Sequence, residues 1–169
     1  MNHKFIGIAA VILIAAQVAI GIHLYRSNDQ VPQHQGKTFT GNTINIYDSR
    51  EGYLTVVNFW ASSCLPCIKE MPDFVRLYDD YKKHKFALVG ITMPFDQADL
   101  SLALLKRLVI PWHNVLDPKG EHLKYFGGNK AVPTTFLLDD EGRTLWKHEG
   151  PVDFGILRQQ INRHLATNG

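Results

Sequence analysis

The chain carries two cysteines, Cys64 and Cys67, with two residues between them. The apolar run Val56-Val57-Asn58-Phe59-Trp60 leads into them and an amphipathic pattern leads out, so the pair falls at a strand-to-helix junction. Positions i and i+3 of a first helical turn share one face, with Cβ atoms roughly 5–6 Å apart. That is within reach of a disulfide after a modest rotation. Cys64 then stands where unpaired backbone N–H groups and the positive end of the helix dipole favour a thiolate. Cys67 lies about one turn deeper. The arrangement gives attack to Cys64 and resolution to Cys67, and Pro66 fits a first turn because the donor it lacks has no partner there. Half of a zinc site and a purely structural disulfide are the other readings of the same pair. A zinc site needs a second Cys-x-x-Cys or Cys/His pair, and the sequence has none, so no metal is expected.

The rest of the chain supplies alternating strand and helix patterns. Thr38-Phe39 and Thr43-Ile44-Asn45-Ile46-Tyr47 flank Gly41-Asn42, a hairpin signal. Leu54–Trp60 and Phe86–Thr92 are continuous apolar runs, as in strands buried on both faces. After Cys67, Ile68, Met71, Val75 and Tyr78 recur at helical spacing, with Pro72 expected to kink that helix. Asp96 reads as the cap of a helix over residues 98–108. A strand over 112–116, a short helix over 121–126, a strand–turn–strand over 134–148 and an amphipathic helix marked by Phe154, Leu157, Ile161 and Leu165 complete the pattern. The class is α/β with a central mixed sheet flanked by helices.

Residues 5–24 are different in kind. They carry no charge, and Gln17 and His23 are their polar side chains. Eighteen or more apolar residues read as a membrane span. The expectation is a cytoplasmic segment 1–4, a transmembrane signal-anchor 5–24, a polar linker 25–35 and a domain 36–169. A cleaved signal peptide processed after Gly21 is the competing reading, although the apolar stretch is longer than such regions usually are. Both export the domain. A net charge of +2 and the lack of a basic stretch interleaved with aromatic residues exclude nucleic acid as an expected partner.

Val57-Asn58-Phe59-Trp60-Ala61-Ser62, Cys64-x-Pro66-Cys67 and Lys69-Glu70-Met71-Pro72 together resemble the TlpA/ResA/CcmG branch of the thioredoxin fold, as does Ala131-Val132-Pro133-Thr134-Thr135-Phe136-Leu137-Leu138-Asp139-x-x-Gly142. The resemblance runs from about Gly36 to the C-terminus. It implies a thioredoxin-like fold with an N-terminal hairpin and an inserted helix and strand near 96–116. It implies a membrane-tethered thiol–disulfide oxidoreductase on the extracytoplasmic side of the bacterial inner membrane, with a redox-active Cys64–Cys67 disulfide and no separate cofactor. Pro133 matches the branch's cis-proline, which leaves the backbone at Val132 free to pair with a substrate strand. Glu70 matches a carboxylate under the active site, where burial would raise its pKa and let it exchange a proton with Cys67. Without the resemblance Glu70 reads as a solvated helix residue. Trp60 reads either as core or as a substrate-binding wall beside the site.

The implied partners are exported disulfide-containing proteins, apocytochrome c among them, and a membrane thiol carrier of CcdA or DsbD type. Two positions depart from the wider pattern. Ser63 stands where most members carry tryptophan, and Asn58 stands where thioredoxins proper bury an aspartate. Two alternatives belong to other classes. Ala61-Ser62-Ser63-Cys64 faintly resembles glutathione peroxidases, without their glutamine and Trp-Asn elements. A non-catalytic binding module at the membrane is the third reading.

Overall fold

The computed structural model describes Gln17, residues 34–127 and residues 129–167. Apart from Gln17, the expected span at 5–24 lies outside the described residues, as does most of the linker. Among the described residues no helix is long and apolar enough to cross a membrane. The chain divides after Pro32, and the following concerns the second unit.

Seven strands form one sheet: β1 (Gln35–Thr38), β2 (Thr43–Asn45), β3 (Leu54–Trp60), β4 (Phe86–Thr92), β5 (His113–Leu116), β6 (Thr134–Leu138) and β7 (Thr144–Glu149). Their order is β2-β1-β5-β4-β3-β6-β7. Strands β3, β4 and β5 run parallel, while β6 joins β3 and β1 joins β5 in antiparallel register. The helices are α1 (Leu65–Tyr81), α2 (Ala98–Arg107), α3 (Glu121–Tyr125) and α4 (Phe154–Thr167). This is the thioredoxin-like architecture expected, with the hairpin at one edge and α2 and β5 inserted between β4 and β6.

All seven residues of β3 are buried, which is why the run lacks the alternation of a half-exposed strand. Successive side chains still point to opposite faces. Leu54 and Val56 pack with Leu88 and Leu137 under Phe74, Leu77 and Tyr81 of α1 and Leu157 and Ile161 of α4. On the other face Phe59 meets Phe136 and Phe126 edge-on, at 5.8 Å in each case. Tyr81 Oη donates to Asn162 Oδ1 at 2.7 Å, tying α1 to α4.

Three local expectations are revised. Strand β1 begins at Gln35, inside the segment expected to be linker. Helix α2 ends at Arg107, and Val109 after it has φ 51°, the left-handed region, which lets Ile110 N–H reach back to Leu105 O at 3.1 Å. Asp96 does not cap α2. The cap position is Gln97, whose side chain makes no cap bond, while the Asp96 carboxylate, one residue earlier, joins Ser62 to Gln97 N–H and the Ser101 hydroxyl.

Candidate active site

Strand β3 ends at Trp60, and a turn closed by Cys64 N–H on Ala61 O at 3.1 Å delivers Cys64 to the head of α1. Cys64 is the N-cap residue, with an extended backbone, and its Sγ accepts the Cys67 N–H at 3.2 Å. Pro66 occupies the first turn. Cys64 and Cys67 are joined as a disulfide, with Cα atoms 5.3 Å apart. The two sulfurs have unequal surroundings. Cys64 is half-buried, while Cys67 is 1% exposed and packs with Trp60, Met71, Leu104 and Leu105. Only the first is placed to meet an incoming disulfide, and when reduced it faces the donors that stabilise a thiolate.

The peptide bond between Val132 and Pro133 is cis. Val132 packs against the cluster that contains both cysteines. The Pro133 carbonyl is taken by Gly150 N–H at 2.8 Å, and Thr134 Oγ1 donates to Ala131 O at 2.8 Å. The loop is thus held from both sides beside the disulfide.

Trp60 is core. Its ring is 1% exposed and its indole N–H donates to Asn114 Oδ1 at 3.0 Å. That bond passes over Gly90 of β4, where a Cβ would collide with the Asn114 side chain and come within 3.0 Å of the indole nitrogen. The expectation that Trp60 forms a substrate-binding wall is therefore corrected: the ring is the floor under Cys67 and offers no surface to a partner.

Glu70 follows Cys67 by one turn and is 6% exposed. Burial pushes its carboxyl up to about 7, against the opposing pull of the Val152 N–H and Asn58 side-chain donors, while Asp73 adds a smaller upward push. Oε2 accepts from Val152 N–H at 3.1 Å and Oε1 faces Asn58 Nδ2 at 3.5 Å. A groove of about 440 Å³ lined by Leu65, Pro66, Glu70, Val152 and Phe154 opens beside it. The reading of Glu70 as a solvated helix residue is excluded by this burial.

The AhpC/TSA family profile matches residues 27–146. The chain belongs to the AhpC/TSA family. The sporulation thiol-disulfide oxidoreductase A of Bacillus subtilis is 31% identical over 125 residues, 73% of this chain and 74% of that protein. The thiol-disulfide oxidoreductase ResA of Bacillus cereus is 26% identical over 151 residues, covering 83% and 85%. Among solved structures, StoA from Bacillus subtilis superposes with a TM-score of 0.63 at 30% identity, over 75% of this chain and 93% of that one. A thiol-disulfide oxidoreductase from Bacteroides fragilis gives 0.63 at 26% identity, over 76% and 97%. This AhpC/TSA member is a thioredoxin-fold thiol–disulfide oxidoreductase of the ResA and StoA type.

Two features of this family member escape sequence reading. Asp96 reaches the active-site turn from the β4–α2 loop. His34, just ahead of β1, places Nε2 2.6 Å from Nδ1 of His122 and stacks on Tyr125 at 3.8 Å. Burial holds both imidazoles below their ordinary pKa, and His122 presses His34 down further. Among the described residues no group of three or more His, Cys, Asp or Glu is placed to hold a metal ion.

Proposed function

We propose that this chain is a membrane-held, extracytoplasmic reductase of disulfides in exported proteins. The observation that carries the reading is the inequality of the two sulfurs: Cys64 half-buried at a helix N-cap, Cys67 enclosed in the core. The Cys64 thiolate attacks one sulfur of a substrate disulfide, forming a mixed disulfide and expelling the other sulfur as thiolate. The Cys67 thiolate then attacks Cys64 Sγ, which releases the second substrate sulfur and leaves the enzyme oxidised. Two electrons pass from enzyme to substrate. A membrane thiol carrier of CcdA or DsbD type restores the dithiol, and apocytochrome c is one substrate class the resemblance implies.

In this scheme the backbone at Val132, beside cis Pro133, pairs with the substrate strand. Glu70, with its carboxyl near 7, takes the Cys67 proton as the mixed disulfide resolves. Residues 5–24 hold the domain at the inner membrane, with catalysis on the periplasmic or extracytoplasmic side.

Equilibration of the domain with glutathione buffers tests the direction. The expected potential lies near that of thioredoxin, about −270 mV, whereas one near that of DsbA, about −120 mV, overturns the reductase reading.

A further inference from the structure

Asp96 lies in the loop between β4 and α2, yet its carboxylate accepts two bonds from a residue 34 positions earlier. Oδ2 accepts Ser62 N–H at 2.9 Å and Oδ1 accepts Ser62 Oγ at 2.6 Å. Gln97 N–H reaches Oδ1 at 3.0 Å, and the hydroxyl of Ser101, fully buried in α2, reaches Oδ2. The loop is itself tied to the end of β3: Met93 N–H bonds Trp60 O at 3.0 Å, and Asp96 N–H bonds Met93 O at 2.9 Å. Ser62 sits within the turn that Cys64 N–H closes on Ala61 O. The carboxylate therefore joins the turn that carries Cys64 to the inserted helix, through four donors, and such bonds are stronger to a charged acceptor than to a neutral one.

We propose that Asp96 is a positioning residue for Cys64: by holding Ser62 it keeps the turn in the form that seats Cys64 at the N-cap of α1, and so couples helix α2 to the reactivity of the attacking thiol. It touches no reacting atom. The chemistry requires a carboxylate, because each of its oxygens faces one backbone N–H, of Ser62 or of Gln97. No orientation of an asparagine amide serves both. A released turn lets Cys64 leave the helix N-terminus, and its thiolate loses the N–H groups that favour it. The α2 side of the link borders a groove of about 300 Å³ lined by exposed Leu100 and Arg107 together with Ser62 and Ile68.

The inference rests on Cys64 being the attacking thiol of the proposed reductase. The test reads Cys64 directly, so its outcome is separate from the direction of electron flow. Reduced full-length protein is alkylated with iodoacetamide across pH in 1 M salt, which weakens the direct effect of the Asp96 charge; loss of that charge by itself would lower the Cys64 midpoint, the opposite of the shift expected from a released turn. Asp96→Asn is expected to shift the pH midpoint of Cys64 alkylation upward and to slow alkylation at pH 7 about 5- to 10-fold, on the scale by which an N-terminal environment activates a thiol. Ser62→Ala and Ser101→Ala, which keep the charge, move in the same direction by less. The double variant Asp96→Asn/Ser62→Ala matches Asp96→Asn alone, since the two act through one link. Ile161→Val, in the distant α4 core, lowers stability without moving the midpoint.

The proposal is overturned if Asp96→Asn alkylates within twofold of the parent, if Ile161→Val moves the midpoint as far, or if the double variant is additive. Should Asp96→Asn fail to fold, Ser101→Ala decides: an unshifted midpoint rejects the proposal and an upward shift sustains it.

Discussion

Asn58 Nδ2 stands between two oxygens in the interior, 3.0 Å from Thr135 Oγ1 on β6 and 3.5 Å from Glu70 Oε1 on α1. The amide gives the buried carboxyl a neutral neighbour that cannot itself ionise. Whatever proton moves at this depth beneath the disulfide therefore moves on Glu70 or Cys67.

The first prediction concerns Glu70. Its folded pKa, about 7, lies above the ordinary carboxyl value of 4.5, so the folded chain holds this proton more tightly than the unfolded chain does. The associated stability is complete below about pH 4.5 and is lost as pH rises through about 7. Glu70→Gln keeps the side chain neutral at every pH. Urea melts should show the parent losing on the order of 3 kcal/mol relative to Glu70→Gln between pH 4.5 and 8. In turnover with a disulfide substrate, the same variant should lose an inflection near pH 7 and slow about a hundredfold, at the low side of general acid–base contributions. A parallel pH dependence of parent and variant would reject the assignment.

Cys67→Ser leaves Cys64 in place but removes the thiol that resolves the mixed disulfide. Expressed in cells, this variant should accumulate covalent adducts that dithiothreitol releases and that gel mobility and mass spectrometry identify. Cys64→Ser should give none. Equal adducts from both variants would remove the distinction between attacking and resolving sulfurs that the burial of Cys67 supports.

The His34–His122 pair titrates in the opposite sense to Glu70. Both imidazoles are held below their ordinary pKa, first of all by burial. Their neutral forms are thus the folded forms, and their stabilisation is complete above about pH 6.5 and lost as pH falls through the lowered values. Two imidazole nitrogens 2.6 Å apart share one proton between them, which a second proton disrupts. His122→Asn should flatten the acid side of the stability–pH curve, measured with Glu70→Gln as the common background. An unchanged acid limb would count against the pair.

Val109 is 79% exposed and has a positive φ just past the end of α2. A β-branched residue is costly there, and glycine is the residue that position favours. Val109→Gly should raise stability by about 1 kcal/mol, seen as a higher urea midpoint at constant m-value. A loss of stability would show that the Val109 side chain contributes packing not apparent from its exposure.

The strands that frame the site were legible because burial on both faces leaves one composition available: Leu54–Trp60 and Phe86–Thr92 fall where their apolar runs fall. The head of α1 was legible too, through Pro66 and the cysteine spacing. Long-range pairing was not. An aspartate two residues before a helix reads as a cap by local rules, and only the fold reveals Ser62 at its carboxylate. Glu70 looks solvated until the Val152 N–H arrives from 82 residues away. Trp60 could be core or wall until Asn114, 54 positions on, takes its indole proton donor. His34 falls in a stretch without periodicity, and its partner lies 88 residues later.

Cys67 forms part of the core with Met71, Leu104 and Leu105 as well as serving as the resolving sulfur. Folding and oxidation are then two sides of one thermodynamic square. Any free energy by which the folded state prefers the disulfide form over the dithiol form reappears as a displacement of the pair's potential from its value in the unfolded chain, about 30 mV for each 1.4 kcal/mol. Apolar substitutions at Met71 or Leu105, which change no group that reacts, would therefore retune the voltage at which the domain gives up its electrons.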